Sequence, residues 1–234
     1  MIAVINYPGI KEKLNMQKFI QSLVILSSIY LLGLSCRQID NQNIKMETNT
    51  KSINDTATFG SGCFWCSEAI FSQLNGVLSV SSGYSGGSSP NPTYEEVCSG
   101  KSGYTEVVQI IFNPTQITYD ELLEVFWKTH DPTTLNKQGN DIGPQYRSVI
   151  FYHNEEQKTK ALKYKNELNQ SGAFDRPVVT AIELYKNYYI AEEYHQDYFR
   201  LNSRQPYCQY VIVPKLDKFK KVFKDKIKEQ KKNY

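Results

Sequence analysis

Thr56-Ala57-Thr58-Phe59-Gly60-Ser61-Gly62-Cys63-Phe64-Trp65-Cys66-Ser67-Glu68-Ala69 packs a strand, a turn and the head of a helix into fourteen residues. Thr56–Phe59 suits a short strand. Gly60-Ser61-Gly62 lets the backbone turn tightly, because glycine accepts conformations closed to other residues. Helical spacing then predicts a helix from about Trp65 to Leu74. Cys63 is left at the junction, between the end of a strand and the start of a helix.

Reading outward, Val77–Tyr84 looks extended, and Gly83, Gly86, Gly87, Pro90 and Pro92 predict a long loop. Tyr104–Phe112 alternates and is β-branched, hence a strand. Thr118-Tyr119-Asp120-Glu121 is a capping box, in which the Thr hydroxyl and Glu carboxylate satisfy orphan amides at a helix head. The helix it opens buries Leu122, Val125, Phe126 and Trp127. A second polar, Gly-rich loop covers Asp131–Pro144. A strand follows over Tyr146–Tyr152, then a helix capped by Asn154 and ending near Gly172. Val178–Tyr185 predicts a strand and Ala191–Leu201 a helix. The order β-α-β-β-α-β with additions predicts an α+β fold: a two-layer sandwich around a mixed β-sheet, with a ferredoxin-like core, extra elements and long loops. Two long loops in a compact domain place a functional site where they meet.

The 234 residues are roughly one and a half typical domains. With 40% hydrophobic and 22% charged residues, wholesale disorder and a multi-span membrane protein are both excluded. A net charge of +3 is too small to argue for nucleic-acid binding. Residues 1–35 read as a leader: Lys11, Lys13 and Lys18 precede an apolar run from Phe19 to Leu34, short of the ~20 residues that span a bilayer. Ser35-Cys36 resembles a bacterial lipoprotein signal, which makes Cys36 the acylated first residue of an exported, periplasm-facing, membrane-anchored monomer; Met16 offers a second start. Residues 36–55 are a polar tether with few large apolar side chains. The folded domain is expected over 56–214 and a basic amphipathic tail over 215–234, where nine Lys against three acids leave +6. Five cysteines are too few for a disulfide scaffold, and three histidines argue against a multi-histidine metal centre.

The chemistry points to Cys63. Free amides and the positive end of a helix dipole favour a thiolate there and lower its pKa. Phe64 and Trp65 beside it can wall an apolar pocket for a methyl or thioether group.

Gly62-Cys63-Phe64-Trp65, Gly83-Tyr84-Ser85-Gly86-Gly87, Asn91 to Gly100, Tyr104 to Val108, Phe126-Trp127 with His130-Asp131-Pro132, Gln138 to Gly143, Gln145 to Ser148 and Ala191 to Tyr198 together resemble, in order, the A-type peptide methionine sulfoxide reductases. The resemblance covers Thr56 to Cys208. It implies a thiol mechanism without a bound cofactor or metal. In that mechanism Cys63 attacks the sulfur of an S-epimer methionine sulfoxide, free or in a protein, and an external thioredoxin-like dithiol is the final reductant. Glu106, Tyr94 and Tyr146 match the residues that hold and protonate the departing oxygen, Phe64 and Trp65 those that pack on the S-methyl group, and Asp141 a residue that orients the network. A sulfoxide is a poor electrophile until its oxygen is protonated, so a carboxyl kept neutral by burial is needed. The sulfenic acid left on Cys63 condenses with a second thiol. Cys208 matches a C-terminal resolving cysteine and is the preferred partner; Cys66, closing Cys63-Phe64-Trp65-Cys66, is the alternative. Cys98 carries no role.

Other readings explain less. A thioredoxin-like disulfide exchanger accounts for Cys63-x-x-Cys66 alone, and a zinc module lacks a second ligand pair. A cysteine hydrolase pairing Cys63 with His195 and Asp141 leaves the remaining motifs unexplained. A non-enzymatic lipoprotein acting through its Lys-rich tail leaves all of them so.

Overall fold

A computed structural model of the chain describes residues 54–229. The leader, Cys36 and all but the last residues of the tether lie outside them. At the centre is β1 (Asp55–Ser61), whose last five residues are buried. It is flanked antiparallel by β3 (Thr105–Phe112) and β6 (Ser148–Tyr152), so that Phe59 faces Val108 on one side and Ile150 on the other. β2 (Val77–Ser85) pairs with the far edge of β3. β1 and β2, joined by the helix α1 (Phe64–Phe71), therefore run in one direction with β3 between them, the split β-α-β arrangement of a ferredoxin-like core. The helix α3 (Tyr119–Thr129) leads from β3 toward β6. β7 (Ala181–Leu184) joins β6 in parallel and β8 (Tyr189–Ile190) joins β2. The result is a mixed six-stranded sheet in the order β7-β6-β1-β3-β2-β8.

The sheet has two unequal faces. On one, Phe59 meets the rings of Phe71 from α1 and of Tyr119 and Phe126 from α3 at 5.1–6.0 Å between centroids, within the main core. On the other, Val107, Val149 and Phe151 form a small cluster under Tyr185 and Tyr188. The predicted capping box is present, with Thr118 accepting from the Glu121 amide, and Asn154 caps α4 (Glu155–Ser171), which ends at Gly172 in the left-handed conformation.

Four segments depart from the sequence reading. The first loop holds a helix, α2 (Tyr94–Cys98), opened by a second capping box between Thr93 and Glu96. The second loop holds a hairpin of β4 (Lys137–Gln138) and β5 (Asp141–Ile142), and Tyr146 ends a short turn of 3-10 helix instead of starting β6. The helix expected over Ala191–Leu201 is broken: a 3-10 turn over Glu193–His195 precedes α5 (Tyr198–Asn202), with Asp197 at φ +51° between them. The cause is Gln196, whose amide bonds both backbone groups of Ser82 at 3.0 Å and pins the segment to β2. Finally, the stretch read as a tail packs on the domain. A π-helical turn over Cys208–Ile212 runs into α6 (Val213–Val222), which buries Leu216 and Phe219, and Phe223 follows them inside. Lys228 then bonds back to Gln73.

Candidate active site

The strand-to-helix junction works as the sequence suggests. Gly62 sits at φ +91°, and a Cβ there would lie 2.6 Å from the side chain of Gln138. Only glycine lets the chain turn there beneath the second loop. Cys63 is the N-cap of α1; its carbonyl accepts the Cys66 amide and its side chain caps nothing.

The amide at the helix head is used by a different group. Phe64 N–H donates to Glu106 Oε2 at 3.1 Å, across 42 residues of sequence. Glu106 comes from β3, is 2% exposed, and has its carboxyl pushed up by burial to about 8. Asp141 and Cys66 push in the same direction, and the Phe64 amide opposes them. Glu106 is therefore a neutral acid at pH 7.

Cys63 departs from expectation for the same reason. It is 5% exposed, and burial drives its thiol well above the usual range; donation to Cys66 and the field of Glu106 add to this. The helix head does not hold a resting thiolate on Cys63. Its positive end faces the Glu106 carboxyl, and desolvation outweighs a dipole effect that amounts to about 0.3–1 kcal/mol at an exposed helix end. Cys66 moves the opposite way: the hydrogen bond from Cys63 lowers it, burial resists, and Lys215 helps.

Around this pair stand the other expected residues. Tyr94, first residue of α2, and Tyr146 are half-buried, and burial raises both phenols, with Cys98 adding for Tyr94 and Glu106 and Cys63 for Tyr146. Both remain neutral hydrogen-bond donors. Asp141 on β5 accepts from the Tyr207 hydroxyl at 2.8 Å, and that hydroxyl lies 4.0 Å from Cys66 Sγ. Phe64 is buried against Tyr84 and His195, so its ring belongs to the core, while Trp65 is half-buried and stacks on Tyr198 at 3.6 Å. Cys208 is fully buried at the first position of the π-helical turn, and Cys63, Cys66, Cys98 and Cys208 are all free thiols. His195 does not pair with Cys63: its Nδ1 accepts from the Trp65 indole. Among the described residues no cluster of His, Cys, Asp or Glu is arranged to hold a metal ion.

Tyr207 is the residue that sequence reasoning missed. Its partner Asp141 lies 66 positions away, and only its place beside Cys208 pointed to it.

A sequence model of the peptide methionine sulfoxide reductase family matches residues 55–227. The chain belongs to the A-type peptide methionine sulfoxide reductases. It is similar to the peptide methionine sulfoxide reductase MsrA of Trichodesmium erythraeum, 50% identical over 74% of this chain and 98% of the relative. The MsrA of Saccharolobus solfataricus is 51% identical over 74% of this chain and 97% of the relative. Among solved structures, reduced Mxr1 from Saccharomyces cerevisiae superposes with a TM-score of 0.60 at 36% identity, covering 66% of this chain and 89% of that one. Methionine sulfoxide reductase A of Corynebacterium diphtheriae gives 0.57 at 36% identity, covering 64% and 75%. The reductase family model ends at Ile227, beyond the predicted boundary at 214 and level with the residue whose bridge to Leu74 closes the C-terminal strap.

Proposed function

We propose that this reductase converts the S epimer of methionine sulfoxide, free or in proteins, to methionine, with Cys63 as nucleophile and Glu106 as proton donor. The observation that carries the reading is the neutral, buried Glu106 carboxyl anchored on the amide that follows Cys63. Cys63 sulfur attacks the sulfoxide sulfur as Glu106 and the phenols of Tyr94 and Tyr146 protonate and hold the oxygen. The Cys63 proton makes up the one given to oxygen. In the adduct the oxygen passes from the substrate sulfur to Cys63 sulfur; the substrate S–O bond and the transient bond between the two sulfurs both break, and methionine leaves with the protein carrying a sulfenic acid. Because Cys63 rests as a thiol, its charge develops only as the oxygen takes a proton, and no buried anion is left uncompensated. Trp65 walls the slot for the methyl group over the buried Phe64, and Asp141 holds Tyr207 over Cys66.

What supports Cys66 for the first disulfide is its place one turn along α1, its amide bonded to the Cys63 carbonyl at 3.2 Å, whereas Cys208 is fully buried at the head of the π-helical turn. Cys66 thiol displaces water from the sulfenic acid. Cys208, which feels the charge of Cys66, then takes over the link by thiol exchange, and a thioredoxin-like dithiol reduces it and is itself oxidised. A lipid on Cys36 anchors the enzyme, as a monomer, in the bacterial cell envelope, facing the periplasm. That reading rests on the leader sequence alone and is checked by loss of lipid labelling in Cys36→Ala.

The enzymatic reading is tested with resolved epimers. The purified protein is expected to reduce the S epimer only, and Cys63→Ser to be inert. Reduction of only the R epimer, or activity surviving in Cys63→Ser, overturns it.

A further inference from the structure

We propose that His195 is a positioning residue, whose unprotonated Nδ1 fixes the Trp65 indole and so sets the methyl slot above Cys63. The inference rests on the reading of Trp65 as the slot wall.

His195 is 1% exposed, and its ring lies among four others: Tyr194 at 4.1 Å, Tyr94 at 4.5 Å, Phe64 at 5.0 Å and Trp65 at 5.5 Å between centroids. Trp65 Nε1–H donates to His195 Nδ1 at 3.2 Å. An indole nitrogen only donates, so Nδ1 must be bare and the ring proton must sit on Nε2. Among the described residues the buried Nε2 has no hydrogen-bond partner; a carboxylate oxygen, Glu192 Oε2, is 3.9 Å away and already accepts from the Tyr84 hydroxyl at 2.8 Å. A buried donor without a partner is unfavourable. A phenylalanine would fill the same place without that cost, so packing alone does not explain a histidine here. What histidine adds is the acceptor for Trp65.

The same turn also holds Tyr94, one of the two phenols of the site. Glu192 Oε1 accepts the Tyr94 amide at 2.9 Å, at the head of α2. One short turn, 192–195, thus grips Trp65 through an imidazole and Tyr94 through a carboxylate. Trp65 is held from its other face by Tyr198, stacked at 3.6 Å and 6°, whose own amide is bonded by Glu68 of α1 at 3.2 Å. The indole is therefore fixed in plane by stacking and in rotation by His195. Without the second restraint the ring can turn about its stack, and the slot loses its width.

The test compares His195→Phe, which keeps volume and removes the acceptor, with His195→Asn, whose side-chain oxygen lies near the place of Nδ1. The readouts are steady-state kinetics on the S sulfoxide, the rate of Cys63 oxidation by hydrogen peroxide, and the indole N–H resonances. The chain has two tryptophans, and Trp127 Nε1 has no partner among the described residues, so it is an internal reference. His195→Phe is expected to move the Trp65 signal and leave that of Trp127 in place. It should raise KM about tenfold, the upper end for one net hydrogen bond, and leave peroxide oxidation of Cys63 unchanged. His195→Asn should restore KM to within about threefold. An unchanged KM in His195→Phe with the Trp65 signal displaced overturns the inference, as does an equal loss in both variants. If His195→Phe does not fold, failure of His195→Asn to keep KM within that limit and the Trp65 signal in place overturns it alone. A wild-type protein inert on the sulfoxide would instead remove the reading of the site itself.

Discussion

Replacing Glu106 by Gln removes the acid while keeping size and an oxygen to accept the Phe64 amide. Burial raises Glu106 from its ordinary 4.5 to about 8, so at pH 7 some nine-tenths of it is protonated, about 300-fold more than in water. In wild type, the single-turnover rate of methionine formation, measured by rapid quench between pH 6 and 9.5, should be flat to about pH 7.5. Above pH 8 it should fall roughly tenfold per pH unit as the acid is lost. Cys63 does not offset this fall, because its thiol lies well above that range. In Glu106→Gln the rate should drop by about 10²–10⁴ and the alkaline limb should disappear. The same substitution has a stability consequence of opposite sign. Glu106 has a higher pKa folded than unfolded, so its contribution is fully present below pH 4.5 and is lost as pH rises through about 8. Ionising it in place costs roughly 5 kcal/mol. Glu106→Gln should therefore be more stable than wild type at pH 9, with the gap closing toward pH 4 in urea titrations. A single-turnover rate that climbs through pH 8–9, or one that Glu106→Gln leaves intact, would refute the reasoning.

Three further outcomes follow from the geometry. After one turnover without reductant, Cys208→Ser should still form a Cys63–Cys66 disulfide, whereas Cys66→Ser should retain a dimedone-reactive sulfenic acid for longer; peptide mapping separates the two. Gly62→Ala should destabilise the fold by about 1–3 kcal/mol or more, because φ +91° is strained for alanine and its Cβ meets Gln138; the midpoint of a urea titration reads this. Phe219→Ala should cost about 3–5 kcal/mol and lower Tm by about 10 °C, which a solvated tail would not do.

The parts of the fold that were legible in the sequence are those decided within a few residues. The turn at Gly62 into α1 and the Thr118–Glu121 box that opens α3 are local chemistry, and both stand where expected. The second box, Thr93 to Glu96, is equally local, but the Gly and Pro around it read as loop and mask α2. The break at Asp197 was not legible, since it depends on Gln196 reaching the backbone of β2 more than a hundred residues earlier. The packing of the C-terminal stretch is hidden by the lysines that dominate its composition, although Leu216, Phe219 and Phe223 turn into the core. For the site, motif order names Cys63, Glu106, Tyr94, Tyr146 and Asp141, and the fold brings their charges within reach of one another. The protonation of Cys63 was inverted. A helix head is a local feature, but burial and the approach of Glu106 are tertiary, and here they win.

The central claim is that oxygen passes to Cys63 sulfur, and it is tested by intact-protein mass spectrometry after one turnover with S-sulfoxide and no reductant, with alkylation of the remaining thiols. The account predicts one methionine released per chain, and Cys63 protected from alkylation as a sulfenic acid or in a disulfide. Methionine formed while Cys63 stays fully alkylatable would contradict it.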